Sequence, residues 1–342
     1  MKALVYQQGV AGTSISSALQ SLKEVYTNLD IQQDPYVLKL RAAGHGIDNK
    51  QLRKALMSRK TYCQDQIRGF LNTASNISEL GSWATDYYIT TCIQRFRAKR
   101  FSQSLDFDGL DTNEKAYLRK IFDEVRCPNL EPSPNEDYED SRIAQKVHQL
   151  IDVLVAEMHN GFAGLIFVKT RASVGVLAQL LSTHARTKDI LKIGPFVGTS
   201  SHKQRQSNVG ELVSINEQGE TLDDLKKGKK NLIISTSILE EGIDVTALNF
   251  VCCFEPPPNL KSFIQRRGRA RQVKSKYIVM FPEDNNSIDT WQRLEEEMKQ
   301  IYMDDMRRLA ELQDLETGDD GSREFIVEPT GSVTTIIPLK TT

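Results

Sequence analysis

Gly164-Leu165-Ile166-Phe167-Val168 carries no charge and shows no polar–apolar alternation. A strand with one wet face alternates, so an unbroken apolar run that ends in Lys169-Thr170-Arg171 reads as a strand buried on both faces. Residues 191–197, 231–235, 249–254 and 276–281 are also predominantly apolar, with Lys192 and Lys276 their only charges, and helical or loop segments separate them. The first such helix carries Val174, Leu177, Leu180 and Leu181 on one stripe. Strand and helix in alternation predict an α/β fold with a doubly wound parallel sheet, whose ligands lie beyond the C-terminal strand ends.

Upstream of this region the period is helical. Leu19, Leu22, Val25, Tyr26 and Leu29 share one face, and Asp34-Pro35 reads as an N-cap with proline at the first helical position. Gly44 reads as a stop, and longer helices are expected over residues 49–72 and 77–100. Asp111 and Glu114 have the spacing of a capping box before the stripe Tyr117, Leu118, Ile121, Phe122, Val125. Residues 1–126 are therefore expected to form an all-α domain without a strand. Residues 127–140 (CPNLEPSPNEDYED) are rich in proline and acid and read as a linker. The α/β domain is expected over 141–285, opened by a helix from about residue 141 to 160. A long helix over 286–316 and the beginning of a further domain over 317–342 follow.

The 342 residues carry a formal net charge of −1, so affinity for nucleic acid must come from local clustering. The five cysteines show no C-x-x-C spacing, which fits a reducing compartment, cytoplasmic or nuclear. No segment is apolar for long enough to suggest a membrane span. Nothing in the sequence suggests a metal site.

The residues just after the strands carry the chemistry. They are Lys169-Thr170-Arg171, Gly198-Thr199-Ser200-Ser201, Thr236-Ser237 followed by Gly242-Ile243-Asp244, and the stretch Gln265-Arg266-Arg267-Gly268-Arg269-Ala270-Arg271. Hydroxyls, guanidinium groups and glycine N–H groups all donate to phosphate. Turns favour the same small residues for conformational reasons alone. Four arginines in seven residues are a different matter, because that much like charge is costly to bury without anions or acids beside it. Arg266 and Arg267 could face a nucleotide or pair with Glu240, Glu241 or Glu255. Arg95, Arg97, Lys99 and Arg100 could contact phosphates or simply end a helix favourably.

Three of these segments, in this order, resemble motifs IV, V and VI of superfamily 2 helicases: Lys169-Thr170-Arg171 after a strand, Thr236-Ser237 with Glu240-Glu241-Gly242-Ile243-Asp244 after another, and Gln265-x-x-Gly268-Arg269-x-Arg271. The α/β domain then resembles the second RecA-like domain of such an enzyme. A Gln-x-x-Gly-Arg-x-Arg ending is similar to that of the Dicer and innate-immune RNA-sensor group, and differs from the Thr-Gly-Arg ending of many fork-remodelling helicases. Tyr62-Cys-Gln-Asp-Gln-Ile-Arg68, Gly81-Ser-Trp-Ala-Thr-Asp-Tyr-Tyr88 and Glu328-Pro-Thr-Gly-Ser332 resemble fungal Dicer-like proteins in particular.

The resemblance implies roles. Arg269 and Arg271 would reach ATP phosphates as arginine fingers, with Gln265 assisting, and Gly242 and Asp244 would contact the ribose or couple the nucleotide to RNA. Lys169, Thr170, Arg171, Thr199 and Thr236 would hold the backbone of an RNA strand. ATP and magnesium would serve the complete enzyme. Double-stranded RNA, a first RecA-like domain and a double-stranded-RNA-binding protein would be its partners. The chain itself contains no G-x-x-x-x-G-K-[ST] phosphate loop and no DExH box on a strand end, so it is expected to bind no ATP autonomously and not to hydrolyse it. An inert RNA-binding or partner-docking module, and a fragment of an RNA-sensor or fork-remodelling helicase, are the alternative readings.

Overall fold

A computed structural model describes residues 2–6, 15–43, 50–98, 110–130, 142–198, 212, 218–240, 248–270, 275–283 and parts of a helix within 289–308. Among the described residues before position 289, α-helices and strands run in the order β1 (Lys2–Tyr6), α1 (Ser17–Thr27), α2 (Pro35–Ala42), α3 (Lys50–Ser58), α4 (Tyr62–Ile77), α5 (Ser82–Ala98), α6 (Thr112–Glu124), α7 (Gln145–Glu157), β2 (Gly164–Phe167), α8 (Arg171–Thr183), β3 (Ile193–Phe196), α9 (Gln218–Lys226), β4 (Leu232–Ser235), β5 (Phe250–Cys253), α10 (Leu260–Arg267) and β6 (Lys276–Pro282).

The strands form one sheet in the order β1-β6-β5-β2-β4-β3, and every pair is parallel. β2, β4 and β5 are buried at all four positions, as their apolar runs require. Alternate residues face opposite layers. Ile166, Ile234 and Cys252 join a core shared with α7 and α8, whereas Leu165, Ile233 and Val251 join one with Leu225 of α9 and Phe263 of α10. Helices therefore cover both faces, and the doubly wound α/β expectation holds.

One expectation fails. Lys2–Tyr6 is a strand on the sheet edge, with Lys2 opposite Ile278 and Val5 opposite Phe281. The all-α part thus lies between two strands of one sheet, and the first residues belong to the α/β unit. Ala3-Leu4-Val5-Tyr6 is apolar but short, and more than 150 residues separate it from the next strand, so it stands outside the strand–helix alternation that marks the others.

The helix expected over 49–72 is broken as well. Arg59 adopts φ 50, a left-handed conformation, and its guanidinium donates to Leu29 O at 2.7 Å. Thr61 then caps α4 by accepting from Gln64 N. The caps at Asp34 and the Asp111–Glu114 box form as the sequence suggested. Gly44 and residues 131–140 lie outside the described residues.

Helices α1 and α4–α6 pack around Phe70, with Tyr88 and Phe122 at ring-centroid distances of 5.5 and 5.6 Å. That core is continuous with the sheet face carrying Ile166 and Ile278. Two backbone bonds fasten the junction: Trp83 N to Arg142 O at 3.2 Å and Ala144 N to Leu80 O at 3.1 Å. Gly81 sits between them at φ +111, where an added Cβ would lie 2.2 Å from Arg142 O.

Candidate functional site at the strand ends

β2 and β4 are neighbours, with Phe167 opposite Ser235, so Lys169 and Thr236 emerge side by side beyond the sheet. Lys169 is exposed and its amide donates to Glu255 Oε2 at 3.1 Å. Thr170 caps α8: its hydroxyl accepts from Ser173 N at 3.1 Å and lies 2.7 Å from Ser173 Oγ. Arg171 reaches sideways to Gly198 O, the end of β3, at 3.2 Å. Thr236 stands at the cap of the short 3-10 turn Ser237–Leu239, yet its half-buried hydroxyl makes no capping bond there. These groups form a ledge along three adjacent strand ends, on which Lys169 is exposed, Thr170 and Thr236 are half-buried, and Nε and Nη2 of Arg171 are buried.

The arginine stretch meets the same edge through Glu240. Arg266 Nε donates to Glu240 Oε1 at 2.7 Å, and Ser262 Oγ donates to Oε2 at 3.1 Å. The Arg266 guanidinium also lies 4.9 Å from the Phe167 ring centre. Arg269 Nη2 donates to Glu240 O at 3.0 Å, and its side chain is buried. One glutamate therefore holds Arg266 through its carboxylate and Arg269 through its main chain. The open question about Arg266 resolves toward an ion pair with Glu240. Gln265 sits half-buried on α10. Gly242, Asp244, Thr199 and Arg271 lie outside the described residues.

Glu255, just after β5, pairs with a lysine, and Arg266 also acts on it electrostatically. Its Oε1 lies 3.9 Å from Nζ of Lys146, a lysine buried at the start of α7. Lys146 also stands 4.0 Å over the Phe254 ring. Burial drives the Glu255 carboxyl above the usual range and drives Lys146 below it, and the attraction between them only partly offsets this. Nothing in the sequence signalled this pair, because Lys146 lies beside Ala144 and Val147 on a helix with an otherwise apolar face. Burial likewise raises the Cys252 and Cys253 thiols, which stay neutral and unreactive.

The basic residues described at the end of α5 have protein partners although they stay largely exposed. Arg95 Nη1 donates to Leu212 O, and Arg97 pairs with Asp123 at 2.9 Å. Lys99 and Arg100 lie outside the described residues. No group of three or more acid, cysteine or histidine ligands occurs among the described residues, and no helix among them is long and apolar enough to cross a membrane.

A family model described as "Helicase conserved C-terminal domain" matches residues 145–274, which contain the whole ledge and the arginine stretch. Dicer-like protein 2 of Aspergillus terreus is 41% identical over 327 residues, covering 94% of this chain and 23% of its own length. Dicer-like protein 2 of Aspergillus oryzae is 43% identical over 323 residues, covering 93% and 23%. The chain thus spans about a quarter of the length of the curated relatives it matches. Among solved structures, the Pyrococcus furiosus Hef helicase domain aligns with 81% of this chain and 53% of its own at TM-score 0.36 and 17% identity.

Proposed function

Because this chain belongs to the fungal Dicer-like helicase family, we propose that its strand-end ledge grips the phosphate backbone of double-stranded RNA while its arginine stretch serves an ATP site completed by a lobe outside the chain. The observation that carries this reading is the convergence of three loops on one sheet edge. Lys169 and Thr236 stand at adjacent strand ends, and Glu240 draws Arg266 and Arg269 to the same edge.

Each residue does something definable there. Lys169 offers a point charge to a phosphate, and the Thr236 hydroxyl offers a hydrogen bond. Thr170 is committed to its cap and contributes by setting the direction in which α8 starts. Arg266 is committed to Glu240, so it acts as a strut. Arg269 holds a carbonyl, a neutral acceptor that a phosphate oxygen can replace with a stronger charge-assisted bond. ATP with magnesium would supply the free energy of phosphoanhydride hydrolysis in the complete enzyme. The residues here fit one wall of such a site and lack its phosphate cradle.

Binding to double-stranded RNA by the purified chain tests the reading. Lys169→Ala should weaken binding and reduce the salt slope by about one counterion. Lys23→Ala, on α1, should leave that slope unchanged. Equal effects of the two substitutions would contradict the assignment of the ledge.

A further inference from the structure

Glu255 is partly buried, its side chain 24% exposed, at the junction of three elements, and each of its contacts has a distinct consequence. Its Oε2 accepts from the amide of Lys169, the first residue beyond β2. Its Oε1 faces Lys146 Nζ at 3.9 Å. Lys146 opens α7, and the residues immediately before it are bonded to the helical part through Trp83 N to Arg142 O and Ala144 N to Leu80 O. Glu79, in the 3-10 turn that precedes Gly81, also acts on both Lys146 and Glu255 electrostatically.

We propose that Glu255 is a positioning residue: by accepting the Lys169 amide it sets the turn Lys169-Thr170-Arg171 for phosphate contact, and through Lys146 it registers that turn to the helical part. This inference rests on the RNA-backbone reading of the ledge and adds a residue that touches no RNA itself. The geometry requires such a device. Lys169 leaves a strand whose last ladder bond is Val168 N to Ser235 O at 2.8 Å, and the next fixed point is the Thr170 cap. Between them a single amide sets the direction of the Lys169 side chain, and that amide is the one Glu255 holds. A carboxylate withdrawn from most of its water is a costly acceptor. Lys146 makes it tolerable by placing a cation on its other oxygen.

A positioning role and a merely structural ion pair predict different outcomes for two double variants. K146M/E255Q removes both charges but leaves an amide oxygen for the Lys169 N–H. K146M/E255L removes the charges and the acceptor together, and apolar replacement of a buried pair is often tolerated by the fold. Both are compared with the unsubstituted chain for affinity to double-stranded RNA across a salt titration, with thermal melting as the control for folding. We expect K146M/E255Q to bind within about twofold of the unsubstituted chain, and K146M/E255L to lose on the order of tenfold with a slope shallower by about one counterion. Equal affinities for the two doubles, whether both retained or both lost, would overturn the positioning role. A second measurement needs no variant: the Lys169 amide should exchange with solvent as slowly as that of Val168, and fast exchange would overturn the inference directly. Absence of RNA binding by the unsubstituted chain would instead overturn the reading of the ledge, and this inference with it.

Discussion

Arg266 Nε lies 2.7 Å from Glu240 Oε1, and only 7% and 9% of the two side chains remain exposed. This pair joins the loop after β4 to the end of α10, so the positions of two functional segments depend on each other. Breaking a buried pair from one side leaves an uncompensated charge. Glu240→Ala should therefore cost about 3–5 kcal/mol in urea unfolding. Glu240→Ala combined with Arg266→Met should recover most of that loss. A double variant as unstable as the sum of the singles would mean that the residues act independently.

Gly81→Ala probes the junction between the helical part and the sheet. Its φ of +111 and the 2.2 Å approach of Arg142 O leave no room for a methyl group without moving backbone. The expected loss is on the order of 3 kcal/mol. Gly228→Ala is the comparison, since it shares a positive φ of +71 but has no atom within 4 Å of an added Cβ. It should cost about 1 kcal/mol, from conformation alone. Similar losses at the two sites would show that the junction yields easily.

Glu255 gives a pH signature. Burial raises its pKa in the folded chain above the usual glutamate value of 4.5. Just above that value the folded chain binds a proton that the unfolded chain does not, so stability falls as pH rises through the window up to the raised folded value. Glu255→Gln lacks this contribution. The unfolding free energy of the variant relative to the unsubstituted chain should therefore rise with pH across that window, as followed by urea titrations at several pH values. A constant difference would place Glu255 in a water-like environment.

The purified chain should show no ATP turnover, with or without RNA. Its sequence contains no phosphate loop to cradle the nucleotide. Phosphate release assays check this, and RNA-stimulated release would contradict it.

Much of this was readable from the sequence where the signal is strong and local. β2 and β4 are apolar throughout because both faces are covered, and the caps at Asp34 and Asp111 use side chains that advertise them. β1 was not readable, because its short apolar run Ala3–Tyr6 stands alone, with the helical part between it and the other strands. The break at Arg59 was hidden for another reason: its left-handed turn is held by Leu29 O, thirty residues away in sequence. Within the site, Lys169, Thr170, Arg171 and Thr236 could be placed by their position after strands. That Thr170 spends its hydroxyl on a cap, and Arg171 its guanidinium on Gly198 O, depends on tertiary distances. The Lys146–Glu255 pair joins residues 109 positions apart (255 minus 146) and leaves no periodic trace.

The central claim is that the edge formed by β2 and β4 binds a phosphate backbone. The most direct measurement is the affinity of the unsubstituted chain for double-stranded RNA as a function of salt. Backbone contact predicts a straight fall of log affinity with log salt, steeper than one counterion and shallower for Lys169→Ala by about one. An affinity that does not change with salt, or a slope untouched by Lys169→Ala, would contradict it.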